Sequence, residues 1–207
     1  VGGADSLCGL TINGFDSLES LSGKLCQPFD NGRQGINIGE GAALFVISRQ
    51  PAAINLYGVG EATDAYHVSA PHPEGLGAEA AMRGALARAG QAPAAIGYLN
   101  LHGTATPLND QMESKAVARV FGSQLACAST KRQTGHCLGA AGAIENALCW
   151  LALSDLNGDG LLPAMSGDYA LDDSLSPIGL LRRPGRWPAG PRYSLSNSFA
   201  FGGNNVS

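Results

Sequence analysis

Three side chains in this sequence have the types and spacing to act together on a carbonyl or an anion: His102, Lys131 and His136. Lys131 and His136 share one polar turn. Residues 125–128 lead into it as a short apolar run, and residues 138–153 leave it as a run of small and apolar side chains. That pattern predicts a buried strand, a turn and a buried helix. His102 has the same placing: residues 95–100 read as a buried strand, 101–110 as a polar turn, and 111–120 as a helix capped by Asn109 or Asp110. In open α/β folds ligands gather where strands end and helices begin, and a helix N-terminus offers free N–H groups and a positive dipole end.

The residues around these corners set what the chemistry would be. A helix N-terminus disfavours a charged imidazole, so His136 is expected to stay neutral and donate an N–H to a carbonyl oxygen. The competing structural reading is a histidine packed beside Gly135 and a Gly/Ala-rich helix. A lone turn histidine such as His102 is more often structural. Its strand, the permissive Gly103, the loop-holding hydroxyls of Thr104 and Thr106, and the nearby Asp110 and Glu113 favour a site. In a buried turn Lys131 needs a carboxylate, because an unpaired buried ammonium is costly. Glu113 is the natural partner and Asp110 the second.

Phe199-Ala200-Phe201-Gly202-Gly203 is a glycine turn carrying two aromatics. It reads either as a core hairpin or as a mobile loop with a backbone N–H aimed at a developing oxyanion. His67 and His72 lie in a proline-broken loop and read as structural or surface residues. No His/Cys pair has zinc-ligand spacing, so neither metal nor cofactor is expected. Cys137 directly follows His136; neighbours at a helix start point apart, which argues against a Cys–His nucleophile.

Other elements must carry these corners. A short helix is expected over residues 16–21 with Asp16 as its N-cap, a strand buried on both faces over 42–48, and another strand over 54–59. An amphipathic helix from residue 74 or 75 to 89 should close at Gly90. A strand over 193–196 precedes the glycine turn of residues 197–205, and Val206 begins a further strand. Strands alternating with helices predict an α/β fold with a parallel or mixed sheet covered on both faces.

The 207 residues are 44% hydrophobic and 14% charged, with 29 glycines and a net charge of −4. A chain of this size buries a sizeable core, and the composition excludes disorder. With no basic run, nucleic acid and anionic membrane are poor partners. No stretch is apolar for the ~18 residues of a membrane span. The five cysteines show no CxxC spacing and read as reduced thiols of a cytoplasmic protein. The opening at Val1 without Met and the close at Ser207 are those expected of a fragment.

Six segments, in order, resemble the β-ketoacyl-(acyl carrier protein) synthases of the thiolase superfamily, in their Cys-His-His class. They are Val1-Gly2-Gly3-Ala4, residues 27–41, Asp64-Ala65-Tyr66-His67, residues 100–107 with Asp110 and Glu113, residues 129–145, and residues 197–205. The resemblance implies a layered α-β-α-β-α sandwich of two similar halves. Residues 1–51 would end the first half, and residues 52–207 would form the second without its last strand. It also implies a decarboxylative Claisen condensation that extends an acyl chain by two carbons from malonyl-(acyl carrier protein), as in fatty acid biosynthesis. His102 and His136 would hold the malonyl thioester carbonyl, Lys131 with Glu113 would organise the site, and Asp110, Thr104 and Thr106 would support it. Phe201, with Phe199 and Gly202, would form the gate and oxyanion loop.

The nucleophilic cysteine of that family lies in the first half, upstream of Val1, and none of the five cysteines sits in its motif. The chain alone is therefore expected to be inactive and to pair with that N-terminal half, in a homodimer fed by acyl carrier protein thioesters. Ala200, Asn204 and Leu101 depart from the commoner glycine, threonine and small residue, which bears on loop dynamics and substrate range. The alternatives are a noncatalytic, chain-length-factor-like or assembly partner, and a polyketide ketosynthase. A thiolase-type enzyme would need a cysteine near the chain end.

Overall fold

The computed structural model describes residues 1–168 and 170–207. In chain order the elements are β1 (Gly2–Asp5), α1 (Gly9–Ser17), β2 (Gly41–Leu44), β3 (Glu61–Thr63), α2 (Leu76–Ala89), β4 (Tyr98–Asn100), α3 (Pro107–Phe121) and β5 (Ala126–Ala128). There follow α4 (Lys131–Thr134), α5 (Ala141–Leu153), β6 (Leu161–Leu162), β7 (Gly179–Leu180), β8 (Gly185–Arg186), β9 (Ser194–Ser196), β10 (Ser198–Ala200) and β11 (Asn204–Val206). Two short 3₁₀ turns, Pro93–Ala95 and Leu138–Ala140, precede β4 and α5.

The central sheet runs β7-β5-β4-β9 with every pairing parallel. Tyr98, Leu99 and Asn100 of β4 are at most 1% exposed, as a strand covered on both faces requires. Helices α2 and α3 pack together and bring Ala78, Met82, Met112, Ala116 and Val117 into one core with Tyr98, Leu99 and Leu101. Helix α5 touches β9 of this sheet and also β1 and β2, which pair antiparallel with each other. One helix thus serves two sheets. A second antiparallel sheet, β10-β11-β3, packs on α2.

Several expected elements shift. The helix expected over 16–21 is instead α1, with Cys8 rather than Asp16 at its N-cap. Glu19 takes a φ of 51° and the chain turns out of the helix there. The buried strand expected over 42–48 ends at Leu44 and is half exposed: Leu44 is 83% and Val46 99% exposed, and among the described residues β1 alone pairs with it. The strand expected over 54–59 lies instead at Glu61–Thr63, opposite β11, while Leu56 and Tyr57 stay exposed. Helix α3 starts four residues early, with Thr106 at the N-cap and Pro107 in the first turn, where a missing N–H costs nothing. The turn of 197–205 is the hairpin β10–β11, and Val206 closes that hairpin rather than opening a new strand.

Candidate functional site

His102 leaves β4 and His136 follows α4, and the fold brings the two rings to 5.3 Å between centroids, nearly perpendicular at 83°. Two glycines make these corners possible. Gly103 has φ 37°, and a Cβ there would lie 2.5 Å from the Cβ of Ser129, whose hydroxyl donates to the Gly103 carbonyl at 2.7 Å. Gly135 has φ 69°, and a Cβ there would lie 2.8 Å from Gly39. Both positions exclude any side chain. Residues 37–39 clamp His136 through its main chain: its N–H donates to the Asn37 carbonyl at 2.7 Å, and its carbonyl accepts from Gly39 N–H at 3.0 Å.

Lys131 is 1% exposed and lies between the two corners. Its ammonium donates to the His102 carbonyl at 2.6 Å, stands 3.4 Å from His102 Nδ1, and pairs with the Glu145 carboxylate. The expected pairing with Glu113 or Asp110 does not form. Both Glu113 carboxylate oxygens are occupied by main-chain donors, His102 N–H at 2.8 Å and Gly103 N–H at 2.7 Å, and Asn197 Nδ2 adds a third bond at 3.1 Å. Asp110 accepts from Phe29 N–H at 2.8 Å and from Ala105 N–H at 3.3 Å. These two carboxylates therefore shape the His102 turn from behind. Burial pushes Glu113 up to about 7 and Asp110 up to about 6. Thr104 and Thr106 bond through their hydroxyls at 2.9 Å and hold the same turn.

The contacts fix the tautomers. An ammonium beside His102 Nδ1 makes that nitrogen the acceptor, and Leu138 N–H donates to His136 Nδ1 at 3.3 Å. Each ring then carries its proton on Nε2. Burial, then the Lys131 charge, then His136, hold His102 well below its usual range. Burial, then the Lys131 charge, push His136 down to about 3, although the residue as a whole keeps some solvent contact. The pair is thus two neutral N–H donors, the arrangement that stabilises negative charge growing on an oxygen.

Phe199 is buried with its ring 5.6 Å from that of His102, whereas Phe201 is 49% exposed. The N–H of Gly202, expected in the oxyanion loop, is bonded to the Val68 carbonyl at 2.8 Å. His67 and His72 lie in the loop joined to that turn and donate no side chain to the His102–His136 pair. Cys26, Cys127, Cys137 and Cys149 are buried, and burial raises each thiol. Among the described residues no group of three or more His, Cys, Asp or Glu is placed to hold a metal ion, and no helix is long and apolar enough to cross a membrane.

Glu145 and Asn197 are site residues that the spacing argument missed. A signal for Glu145 was present: it is the one charged residue in the run 138–153, and a lone carboxylate in an apolar helix calls for a buried cation. Asn197 carries no such mark.

The fold thus sets two neutral imidazoles and a buried lysine at strand-to-helix corners. Residues 52–159 match the family Beta-ketoacyl synthase, C-terminal domain, and the chain belongs to that family. The 3-oxoacyl-[acyl-carrier-protein] synthase 2 of Staphylococcus aureus (strain COL) is 38% identical over 213 residues, covering 95% of this chain and 50% of its own length. The structure of the ketosynthase ApeO in complex with its chain length factor ApeC, from Xenorhabdus doucetiae, superposes with a TM-score of 0.91 at 55% identity, over 100% of this chain and 51% of that one. A beta-ketoacyl synthase from Burkholderia phymatum STM815 does so at 0.83 and 31% identity, over 100% and 52%. The chain spans about half the length of the relatives it matches. The fold is the layered α-β-α-β-α sandwich, here mainly its C-terminal half.

Proposed function

We propose that this chain supplies the decarboxylating half of a polyketide-type ketosynthase site. The observation that carries the reading is the convergence of His102 and His136, with the Nδ1 of each engaged within the protein and the proton left on Nε2. A malonyl thioester on a carrier protein would place its carbonyl oxygen between the two donors. As the bond to the carboxylate breaks, CO₂ leaves and the electron pair becomes an enolate whose oxygen the two N–H groups hold. The enolate carbon then attacks an acyl thioester on a cysteine that the other half of the complete enzyme provides. The thiolate departs and a 3-oxoacyl chain, two carbons longer, remains on the carrier. Lys131 fixes the His102 tautomer and carbonyl, and Glu145 balances its charge. The Phe201 N–H would serve the oxyanion of the second step.

The polyketide variant is preferred to fatty acid synthesis because identity is 55% with a structure holding a ketosynthase and its chain length factor, against 38% with the synthase 2 of S. aureus. The same likeness favours a chain-length-factor-like partner over a homodimer. A noncatalytic role for this chain itself is disfavoured, since such a partner has no need of His102, His136 and Lys131 together. In the complete enzyme, His136→Ala and His102→Ala are each expected to lower CO₂ release from the malonyl thioester by about 10²–10³-fold. Unchanged release would sink the reading.

A further inference from the structure

Two non-glycine residues beside the site take left-handed backbone, and one carboxylate holds both. Phe29 has φ 61° and Ala105 φ 65°, a region in which a Cβ crowds the neighbouring carbonyl. Phe29 N–H donates to Asp110 Oδ2 at 2.8 Å, and Ala105 N–H to Asp110 Oδ1 at 3.3 Å. Both bear on His102. Ala105 lies in the same turn, and the Phe29 ring packs on Gly103, where a Cβ would meet it at 3.0 Å. Asp110 is fully buried, and Arg33 faces it. The Arg33 Nε stands 3.9 Å from Asp110 Oδ2, with the arginine side chain 9% exposed. Its Nη1 donates to Asp172 Oδ2 at 2.6 Å and to the Asp30 carbonyl at 2.9 Å. The Arg33 loop also meets the His102 turn through the main chain, where Gly35 N–H donates to the Ala105 carbonyl at 3.0 Å. The other ionisable groups around this carboxylate are Glu113 further along α3, Asp172 beyond the guanidinium, and the buried Cys26 thiol.

We propose that Arg33 is a positioning residue: through Asp110 it holds the Phe29 and Ala105 backbones, and with them the His102 turn, in the geometry that aims the imidazole. The assignment rests on the ketosynthase reading and extends the site to the loop of residues 27–35. Burial raises the Asp110 carboxyl to about 6, against the pull of its hydrogen-bond donors and of the Arg33 charge. Without that charge Asp110 takes up a proton at higher pH. A protonated carboxyl turns one oxygen into a donor, which no longer serves an N–H. One of the two left-handed residues then loses its anchor, and the His102 turn relaxes with it.

The test reads CO₂ release from malonyl-(acyl carrier protein) by the complete enzyme as a function of pH. A cation about 4 Å from a carboxylate lowers its pKa by about 1–3. Arg33→Met is therefore expected to move the acid limb of kcat to higher pH by about 1–3 pH units. Arg33→Gln, neutral but able to keep the bond to the Asp30 carbonyl, should move it likewise and guards against a folding defect in the apolar variant. Arg33→Lys keeps a cation and should hold the limb at the parental pH. Asp172→Asn breaks the outer ion pair and leaves the charge beside Asp110, so it should lower thermal stability with the limb in place. A merely structural Arg33 would lower kcat by one factor at every pH. A limb that stays put in both neutral variants, or that moves as far in Arg33→Lys, overturns the assignment while leaving the ketosynthase reading intact. A parental enzyme that releases no CO₂ overturns the ketosynthase reading and the Arg33 assignment with it.

Discussion

Lys131 and Glu145 form an ion pair inside the protein, their side chains 1% and 2% exposed, and the same ammonium holds the His102 carbonyl. Burial raises the Glu145 carboxyl against the pull of Lys131, and its second oxygen has no hydrogen-bond partner among the described residues. A buried pair is weak evidence for stability as such, but removing one partner leaves the other charge stranded. Glu145→Leu and Lys131→Met are each expected to lose about 3–5 kcal/mol in urea denaturation, and the double variant to regain most of that loss. Decarboxylation should not return in the double variant, because His102 Nδ1 no longer faces an ammonium. Recovery of both properties together would mean that Lys131 has no part in orienting His102.

Among the buried groups that set the pH dependence of stability, His136 and Glu113 act with opposite signs. His136 is held near 3 in the folded chain, below the 6.5 of an unfolded histidine. Its contribution is present above about pH 6.5 and is lost as pH falls toward about 3, where only the unfolded chain readily takes up the proton. Glu113 is raised from 4.5 to about 7. Its contribution is present below about pH 4.5 and is lost as pH rises through about 7. The stability of a Glu113→Gln variant relative to the parent should therefore rise as pH goes from about 4.5 to 7, and that of a His136→Phe variant relative to the parent should fall as pH goes from about 3 to 6.5. Chemical denaturation across that range measures both. Curves parallel to the parent's would show that these groups titrate normally in the fold.

Much of the site was legible in the chain because its geometry is local. His102-Gly103 and Gly135-His136 announce tight corners after apolar strands, and the parallel sheet follows from strands alternating with helices. What failed depends on contacts far apart in sequence. Glu113 looked free for Lys131, but the main-chain N–H groups of His102 and Gly103 reach it first. The run over 42–48 is apolar enough for a buried strand, yet burial on both faces depends on neighbours, and among the described residues β1 is the one paired strand and α5 the helix packed against it. Asp64 gave no sign of its role, which comes from contacts with Asn205 and Gly203 at the other end of the chain.

Asp64 is the knot between the loop of residues 64–73 and the hairpin that carries Phe201. Its carboxylate accepts from Asn205 Nδ2 at 3.0 Å and from His72 N–H at 2.9 Å, while its own N–H donates to the Gly203 carbonyl. Gly77 packs so closely that a Cβ there would lie 2.1 Å from the same carboxylate, so the site has no room for a longer acid. Asp64→Ala keeps the backbone bond and removes both side-chain bonds. The expected loss is about 1–3 kcal/mol for a donor left without its partner, concentrated in the loop and hairpin rather than in the central sheet. Hydrogen exchange should therefore speed up at the Gly202 and His72 amides and stay slow at Leu99 and Cys127 in β4 and β5, which belong to the core. If exchange at Gly202 is unaltered in Asp64→Ala, the hairpin turn is held by the main-chain bonds to Val68 and Asp64 alone, and the carboxylate has no hold on the turn.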